Sequence, residues 1–299
     1  ASLRADRLLL KPVKQSELLD ALLVSLRRRP SERSEAPQAS ARDLPPPARP
    51  LRVLVAEDNP VNQRLVIRTL EKRGHTVHAV GDGLAAIEAS ADGGFDVIVM
   101  DVQMPTMDGF EATAAIRERE RVEGGHIPVV AMTAHALAED RDRCLAAGMD
   151  AYVSKPLSGA MLITTIEAAA AGETQAAAAC QTERPTEVDS DAILQRMMGD
   201  RELLSQMVEL FASAQGAMIE RCREAIAEGD HEALQRAAHA LKGMIGNFET
   251  GRAYELAQRL ETIGKGNIEI DEASLVLADL ERQIVRLQDA LLALREEKR

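Results

Sequence analysis

An aspartate that directly follows an apolar run is the first residue whose position could support chemistry. Val97 to Met100 form a continuous apolar run, and Asp101 comes next. A Val/Ile-rich run without polar alternation predicts a strand buried on both faces of a parallel sheet. Open α/β sheets bind ligands at the carboxyl ends of their strands, where Asp101 is expected. Alone the signal is weak, because a helix cap or a loop acid gives the same pattern.

Four further segments read as short strands. They are Leu51 to Ala56, Thr76 to Val80, Pro128 to Met132 and Asp150 to Val153. Helical patterns separate or follow the strands, at Val61–Arg73, Gly83–Ala91, Phe110–Arg121, Leu137–Ala147 and Ser158–Ala171. This strict alternation predicts an α/β doubly wound, five-stranded parallel sheet with right-handed crossovers. The polar residues at its strand ends then meet at one edge: Glu57, Asp58, Asp101, Thr133 and Lys155.

The residue types at this edge favour phosphoryl chemistry. Asp58 and Asp101, helped by Glu57, are hard oxygen ligands that suit Mg²⁺, and crowded carboxylates need such a cation. Lys155 and Thr133 could each bind a phosphoryl oxygen. Asp101, at the end of a rigid strand, is the candidate nucleophile for an acyl phosphate. Phosphoryl transfer needs mainly positioning and charge neutralisation, and this set offers both.

The second half of the chain has a different pattern. From Val188 onward the strand signal disappears and helical patterns follow one another, at Ser190–Met198, Arg201–Glu228, His231–Phe248, Arg252–Gly264 and Asp271–Glu296. Glycines interrupt them, as in Gly229-Asp230 and Gly264-Lys265-Gly266. The pattern predicts an all-α, antiparallel four-helix bundle with a short leading helix.

One histidine in this half lies on a helix with a clear apolar stripe. The stripe is Leu234, Ala238, Leu241, Ile245 and Phe248. His239 is one residue off it, about 100° round toward solvent, with Lys242, Gly243 and Gly246 on its face. Glycine is poor in helix interiors, so we expect close approach by another surface there. For the histidine alone, an exposed residue without function would be the better interpretation.

Residues 51–171 resemble the receiver domain of two-component signalling. The matching motifs are Val55-Ala56-Glu57-Asp58-Asn59, Met100-Asp101 through Asp108-Gly109, Met132-Thr133-Ala134 and Tyr152-Val153-Ser154-Lys155-Pro156. The sequence motif Glu57-Asp58-Asn59-Pro60-Val61-Asn62 is most similar to that of receivers of hybrid histidine kinases. The resemblance implies that Asp101 is phosphorylated and that the Gln103 carbonyl helps to bind Mg²⁺. It also implies that Thr133 and Tyr152 form a switch pair and that the Lys155-Pro156 bond is cis.

Residues 188–299 resemble the histidine phosphotransfer (Hpt) domain. His239, Leu241, Lys242 and Gly243 match its signature, and Asn247-Phe248 and Leu260-Glu261 fall at the family's spacing. The resemblance implies that His239 is phosphorylated and that Lys242 supports it. Met244, Glu249 and Ala253 depart from the family pattern, which bears on local packing more than on the phosphorylation site.

The remaining segments are expected to be two linkers and the end of a preceding domain. Leu8-Leu9-Leu10-Lys11-Pro12 repeats the strand-Lys-Pro pattern, and a leucine-rich amphipathic helix follows. Residues 1–26 are therefore read as the last strand and helix of a preceding receiver-like domain, with a helical arm as the alternative. Residues 27–50 and 172–187 are read as linkers because they cannot bury a core.

Composition limits the remaining classes of function. The formal charge is −12, and no basic patch contradicts it, so nucleic acid is not expected as a partner. Three scattered cysteines read as reduced thiols, and the other five histidines fit structural roles. No apolar run approaches the roughly 20 residues that span a bilayer. We therefore expect no membrane contact by this segment and a cytoplasmic location, whether free or as the cytoplasmic part of a membrane-bound sensor kinase.

Together these observations predict a phosphorelay segment. A histidine kinase would phosphorylate Asp101, and the group would move between Asp101 and His239 and on to a downstream response-regulator receiver. No ATP-binding glycine pattern occurs, so a kinase domain would have to lie in a longer protein, and the enzyme class stays open. The alternatives are a kinase-less adaptor with the same chemistry and a phosphorylation-gated interaction module without internal transfer.

Overall fold

A computed structural model of the chain describes residues 47–133, 138–172, 190–248, 251–266 and 272–296. The predicted remnant at residues 1–26, nearly all of both linkers, and the residues His135, Cys180 and Glu249 lie outside these ranges. The domain boundaries predicted within those segments stay predictions.

The first half of the described chain is built on a single five-stranded sheet. Its strands are β1 (Arg52–Ala56), β2 (Thr76–Val80), β3 (Val97–Asp101), β4 (Val129–Thr133) and β5 (Ala151–Ser154). They lie in the order β2-β1-β3-β4-β5 and every pair is parallel, which confirms the predicted doubly wound sheet. All residues of β3 and β4 are buried, as expected for strands covered on both faces.

Helices cover both faces of this sheet. They are α1 (Pro60–Arg73), α2 (Gly83–Ala91), α3 (Gly109–Glu123), α4 (Ala138–Ala146) and α5 (Gly159–Ala170). Apolar residues of α1 and α5 pack on one face, and those of α2, α3 and α4 on the other. Side chains fix where three of the helices begin: Asn59 caps α1, Asp82 caps α2, and Asp108 forms a capping box with Glu111 at α3.

The second half is helical, as predicted. Its helices are α6 (Ser190–Arg196), α7 (Arg201–Glu228), α8 (His231–Gly246), α9 (Arg252–Gly264) and α10 (Ala273–Glu296). The predicted apolar stripe of α8 is buried, and Phe248 meets Phe211 of α7 edge to face at 5.4 Å. Helix α6 ends before the predicted Met198, because Met198 and Gly199 both take left-handed backbone conformations.

The helical bundle packs against the α/β part through α1. This helix contacts both α7 and α8, so the described residues from position 47 onward form one compact unit. The sequence predicted two domains joined by a linker and close approach of another surface to the His239 face of α8, but it did not indicate that α1 makes this contact. No helix among the described residues has the length and apolar character that crossing a bilayer requires.

Candidate functional site

Three carboxylates converge at the carboxyl end of the sheet. Glu57 and Asp58 follow β1, and Asp101 ends the adjacent strand β3. One carboxylate oxygen from each lies within 4.8 Å of the others, and the described residues hold no other such group of acids, histidines or cysteines. Glu57 and Asp101 are buried, whereas Asp58 is exposed. The predicted cluster is therefore brought together.

Lys155 lies between two of these acids. Its Nζ donates to Glu57 Oε2 at 2.7 Å and to Asp101 Oδ2 at 2.6 Å. Its backbone N–H donates to the carbonyl oxygen of Thr133 at 2.7 Å, which fixes the residue after β5 against β4. The bond from Lys155 to Pro156 is cis, as the resemblance implied.

The charges at this site do not balance. Burial, and then the negative charge of Asp101, raise the pKa of Glu57 to about 8 even though Lys155 opposes the shift. The same two causes raise the pKa of Asp58, although that side chain stays exposed. Burial disfavours the charged form of Lys155, but Asp101 and Glu57 outweigh it and raise the lysine's pKa. One cation among three carboxylates leaves an excess of negative charge that a divalent ion would offset.

The donor set fits such an ion. Three carboxylates and nearby amide or carbonyl oxygens are the ligands that Mg²⁺ prefers. Gln103 lies beside them, and its backbone N–H donates to Asp101 Oδ1 at 3.2 Å. The side-chain oxygen of Gln103 is buried without a hydrogen-bond partner in the described part of the chain. This side-chain oxygen is a different atom from the backbone carbonyl oxygen of Gln103 that the resemblance implies as a ligand, and that role stays a prediction.

The two predicted switch residues lie on neighbouring strands. Thr133 ends β4, is buried, and lines the space in front of the carboxylates. Tyr152 lies in β5 opposite Ala131 and is buried in the apolar cluster that covers α2, α3 and α4.

Gly109 permits a close backbone contact beside Asp101. A Cβ atom at this position would lie 2.2 Å from the carbonyl oxygen of Asp101, closer than real contacts come. Its N–H donates to the Val102 carbonyl at 3.0 Å. Any side chain here would displace the strand end that carries Asp101. The motif contained Gly109, but sequence reasoning assigned it no role.

The second candidate site is built around His239 on α8. Its Nδ1 lies 3.3 Å from Glu261 Oε1, and Lys242 Nζ donates to Glu261 Oε2. Lys265 Nζ reaches Glu261 Oε1 at 3.1 Å. Burial disfavours a charged Glu261, but the hydrogen bond from His239 and the charge of Lys242 lower its pKa below the usual range. In the sequence, Glu261 was noted only because it falls at the family's spacing. Its contact with His239 joins two helices, so no pattern within one helix predicts it.

The expectation that this face is open to solvent was wrong in part. The side chain of His239 is 16% exposed and that of Lys242 is 3% exposed. Two contacts account for this: Glu261 of α9 covers Lys242 from inside the bundle, and the α/β part covers His239 from outside. A helical wheel for α8 alone contains neither neighbour.

His239 and the carboxylate site open onto the same space. A cavity of about 430 Å³ separates the two halves. Asp58, Gln103 and Thr133 line one side of it, and His239 and Arg236 line the other. A smaller cavity is lined by Lys155 from the sheet and by His239 and Lys242 from the bundle. The two predicted phosphoacceptor sites thus face each other.

Two asparagines at the start of α1 hold the halves together near this space. Asn59 Nδ2 donates to the carbonyl oxygen of Ala240 at 2.9 Å. Asn62 Nδ2 donates to Glu57 Oε1 at 2.9 Å, while its Oδ1 accepts from Asn247 Nδ2 at 2.7 Å. Asn62 therefore bonds the carboxylate cluster and the bundle at once. Both asparagines belong to the motif that resembled hybrid-kinase receivers, which was the available sequence signal.

The two glycines on the His239 face differ in what approaches them. A Cβ atom at Gly243 would lie 3.4 Å from Asn62 Nδ2 and 3.7 Å from Asn59 Nδ2, both across the contact between the halves. At Gly246 the neighbour would be the ring of Tyr254 at 3.2 Å, within the bundle itself. Gly243 thus lies at the contact between the halves, and Gly246 packs inside the bundle.

Family models match both halves of the chain. Residues 53–167 match the response regulator receiver domain, and residues 206–297 match the Hpt domain. The chain is a receiver–Hpt member of the two-component phosphorelay proteins. The α/β part is its receiver domain and the helical bundle is its Hpt domain.

Two relatives that align with most of this chain are named as sensor proteins. The sensor protein GacS of Pseudomonas syringae pv. syringae is 36% identical over 264 residues, which covers 85% of this chain and 29% of GacS. The sensor histidine kinase GacS of Pseudomonas protegens is 34% identical over 79% of this chain and 26% of its own length. This chain therefore spans less than a third of these relatives.

Solved structures match parts of the chain. The receiver domain of sensor histidine kinase PA1611 from Pseudomonas aeruginosa, crystallised with magnesium in its active-site cleft, is 38% identical. It covers 42% of this chain and 99% of the solved chain, with a TM-score of 0.37. A second match is a chain from the complex of the histidine phosphotransfer protein Ypd1 with the receiver domain of Ssk1 from Saccharomyces cerevisiae. It is 27% identical, the match covers 44% of this chain and 95% of the solved chain, and the TM-score is 0.41.

Proposed function

We propose that the chain relays a phosphoryl group between Asp101 and His239. Asp101 would accept the group from a histidine kinase, and His239 would exchange it with Asp101 and pass it to a downstream receiver. The observation that carries this proposal is the shared space: Asp58, Thr133 and Lys155, which surround Asp101, line it on one side, and His239 lines it on the other. The kinase and the downstream receiver are proposals too, because the relatives are much longer than this chain.

In the receiver domain, a carboxylate oxygen of Asp101 attacks phosphorus. A P–O bond forms while the P–N bond to the kinase histidine breaks, so Asp101 becomes an acyl phosphate. Lys155, already 2.6 Å from Asp101 Oδ2, offsets charge on the transferred group, and Thr133 offers a hydroxyl to one of its oxygens. Glu57, Asp58, Asp101 and the Gln103 carbonyl would hold Mg²⁺, which supplies positive charge against the carboxylates and phosphoryl oxygens.

Thr133 and Tyr152 are proposed to report the phosphorylated state. Both are buried on the adjacent strands β4 and β5, Thr133 at the end of β4 and Tyr152 within β5. A shift of the Thr133 hydroxyl toward a phosphoryl oxygen would open space near the Tyr152 ring.

In the Hpt domain, Glu261 sets which nitrogen of His239 reacts. Its lowered pKa keeps Glu261 ionised, so it only accepts hydrogen bonds and the proton must lie on His239 Nδ1. Nε2 then carries the lone pair that attacks the acyl phosphate: a P–N bond forms, the P–O bond breaks, and Asp101 regains its carboxylate. Lys242 keeps Glu261 in place and its charge lies beside the new phosphohistidine.

A label-transfer experiment tests the proposal. The chain is phosphorylated by a histidine kinase with radiolabelled phosphate in the presence of Mg²⁺, and the label is followed by its stability in acid and base. Acyl phosphate and phosphohistidine differ in those stabilities, so label should appear on Asp101 first and then on His239. Asp101→Asn should accept no label at the receiver, and His239→Gln should keep label on Asp101.

The alternatives make different predictions in this experiment. A phosphorylation-gated interaction module keeps all label on Asp101 even with His239 intact, and that result would reject internal transfer. Label on the receiver of the Asp101→Asn variant would reject Asp101 as the acceptor.

A further inference from the structure

The contact between the two domains extends beyond the phosphoacceptor sites along α1. Arg64, Arg68 and Lys72 are spaced four residues apart and therefore lie on one face of this helix. We call these three residues the basic strip. The strip begins after Asn62 and runs away from Asp101, so it takes no part in the chemistry. All three residues bond to the Hpt domain.

The partners of the basic strip lie at the start of α7. Arg64 donates to Gln206 Oε1 at 3.0 and 2.7 Å from Nε and Nη2. Arg68 Nη2 lies 3.2 Å from Glu202 Oε2, and Lys72 Nζ lies 3.2 Å from Asp200 Oδ2. We call this surface the acidic start of α7; it consists of the helix cap Asp200, the first-turn Glu202 and the neutral Gln206 beside them.

The acidic start is well placed to receive cations. Asp200 is fixed because its Oδ1 accepts from Leu203 N–H at 3.0 Å as the cap of α7, and its side chain is only 10% exposed. A helix N-terminus carries partial positive charge and would by itself repel a basic strip. Asp200 and Glu202 reverse that sign, so the two surfaces are complementary in charge.

Under the proposed function, the same Hpt surface serves both the internal receiver and a downstream receiver. His239 lies beside this contact, and the internal receiver covers it. Any other receiver that takes the group from His239 has to approach the same side of α8, next to the acidic start of α7. The internal receiver and a downstream receiver therefore compete for one surface.

We propose that the acidic start of α7 selects the receivers that exchange phosphoryl groups with His239. The downstream partner is a receiver whose first helix carries cations at three positions four residues apart, and it docks after the internal basic strip has left. This inference rests on the proposed phosphorelay function, since it assumes that His239 passes the group onward. Charge complementarity of this kind sets partner choice and association rate more than overall affinity.

Two full-length variants of the chain separate docking from chemistry. The donor is His239→Gln, labelled on Asp101 with a small radioactive phosphodonor and then freed of it. The acceptor is Asp101→Asn, which keeps His239 and cannot accept label at its own receiver. Label that reaches His239 must pass between chains, so the acceptor's own receiver acts as a competitor.

The substitution Arg68→Glu should have opposite effects in the two chains. In the donor it should slow transfer about fivefold, because the donor's first helix now repels Glu202 and Asp200 of the acceptor. In the acceptor it should speed transfer about fivefold, because the acceptor's own receiver leaves its Hpt domain. Glu202→Arg in the acceptor should restore the rate for the Arg68→Glu donor. Both differences should shrink at high salt.

Arg121→Glu is the matched control. It makes the same charge change on an exposed receiver helix and breaks one ion pair, to Glu118, whereas Arg68 has two, to Glu202 and Asp200. It should leave the rate unchanged in either chain.

Two other outcomes would overturn the proposal. They are slowing by Arg68→Glu in both chains, as a folding defect would produce, and no change in either. If no label reaches His239 between the unsubstituted donor and acceptor, or within the unmodified chain, the proposed function itself fails and this inference fails with it.

Discussion

The two proposed phosphoacceptor sites differ in their balance of acidic and basic side chains. In the receiver, Asp101 is accompanied by Glu57, Asp58 and a single lysine, Lys155. In the Hpt domain, His239 has one carboxylate, Glu261, which two lysines approach. The buried glutamates respond in opposite directions: the pKa of Glu57 rises to about 8, and that of Glu261 falls below its usual range.

This difference assigns different tasks to the two glutamates. Glu57 lies in an excess of negative charge, so its site is complete only when a further cation joins Lys155. Glu261 is already neutralised by protein groups, so it can orient His239 without any ion. The acyl-phosphate site is therefore expected to depend on metal, and the phosphohistidine site is not.

The largest expected effect comes from removing the buried lysine of the Hpt site. Lys242→Met leaves Glu261 without its buried partner and should lower the free energy of unfolding by about 3 kcal/mol. Mg²⁺ should not restore the loss. Urea unfolding with and without Mg²⁺ measures both quantities.

Lys155→Met is the matched change in the receiver. It should cost less, because Glu57 can take up a proton and Mg²⁺ can supply the missing charge. Mg²⁺ binding should stay near normal, while the structural change on phosphorylation should weaken. Equal losses in both variants, unaffected by Mg²⁺, would contradict the comparison.

The two sites also predict opposite dependence of stability on pH. The folded receiver holds a proton on Glu57 that the unfolded chain releases, so without metal its stability should fall as pH rises from about 4.5 to about 8. Glu261 contributes stability above about pH 4.5 and loses it as pH falls further. Urea unfolding across this range in a chelator gives the slopes.

The contribution of Glu57 to this pH dependence of stability can be isolated with a Glu57→Gln variant and with added Mg²⁺. Glu57→Gln should flatten the fall between about pH 5 and about pH 8, and so should saturating Mg²⁺, which favours the ionised carboxylate. A slope that is unchanged by both would show that Glu57 is not the titrating group.

Asp58→Asn separates the cost of charge crowding from the role in metal binding. Without Mg²⁺ the melting temperature should hold or rise slightly, because repulsion from Asp101 is relieved. Mg²⁺ affinity should drop by roughly tenfold or more, since a proposed ligand is lost. Isothermal titration gives the affinity, and unchanged binding would remove Asp58 from the ligand set.

The smallest expected effect on stability is at Gly243. Gly243→Gln should leave the Hpt domain as stable or more stable by about 0.5–1 kcal/mol, because glycine is a poor residue in helices. It should nevertheless slow transfer between Asp101 and His239, because the new side chain meets Asn59 and Asn62.

Gly264→Ala is the contrasting variant. Its Cβ atom would lie 2.4 Å from the backbone nitrogen of Gln235, inside the bundle, so this variant should melt lower. A Gly243→Gln variant that also melts lower but transfers at the normal rate would favour packing over docking at Gly243.

Local patterns in the sequence were sufficient to predict the strands and to place the polar residues at their ends. Each predicted strand begins and ends within one residue of the observed one, because buried strands are apolar runs between clear breaks. Asp101, Lys155 and Glu57 could be placed together because parallel strands present their carboxyl ends at one edge.

Contacts between distant segments could not be predicted in the same way. The burial of Lys242 depends on Glu261, which is 19 residues away on another helix. The contact that covers His239 includes hydrogen bonds from Asn59 to Ala240 and from Asn247 to Asn62, and these partners are 181 and 185 residues apart in the chain. Periodicity describes which face of one helix is apolar, but it does not identify the polar surface that will meet the opposite face.

Asn62 connects the proposed metal site directly to the contact between the domains. One end of its amide bonds Glu57, a proposed ligand, and the other end bonds Asn247 of the Hpt domain. If the docked Hpt domain changes the Mg²⁺ affinity of the receiver by some factor, Mg²⁺ must change the docking equilibrium by the same factor. The concentration of free Mg²⁺ would then act as an effector of the domain contact as well as a requirement for chemistry.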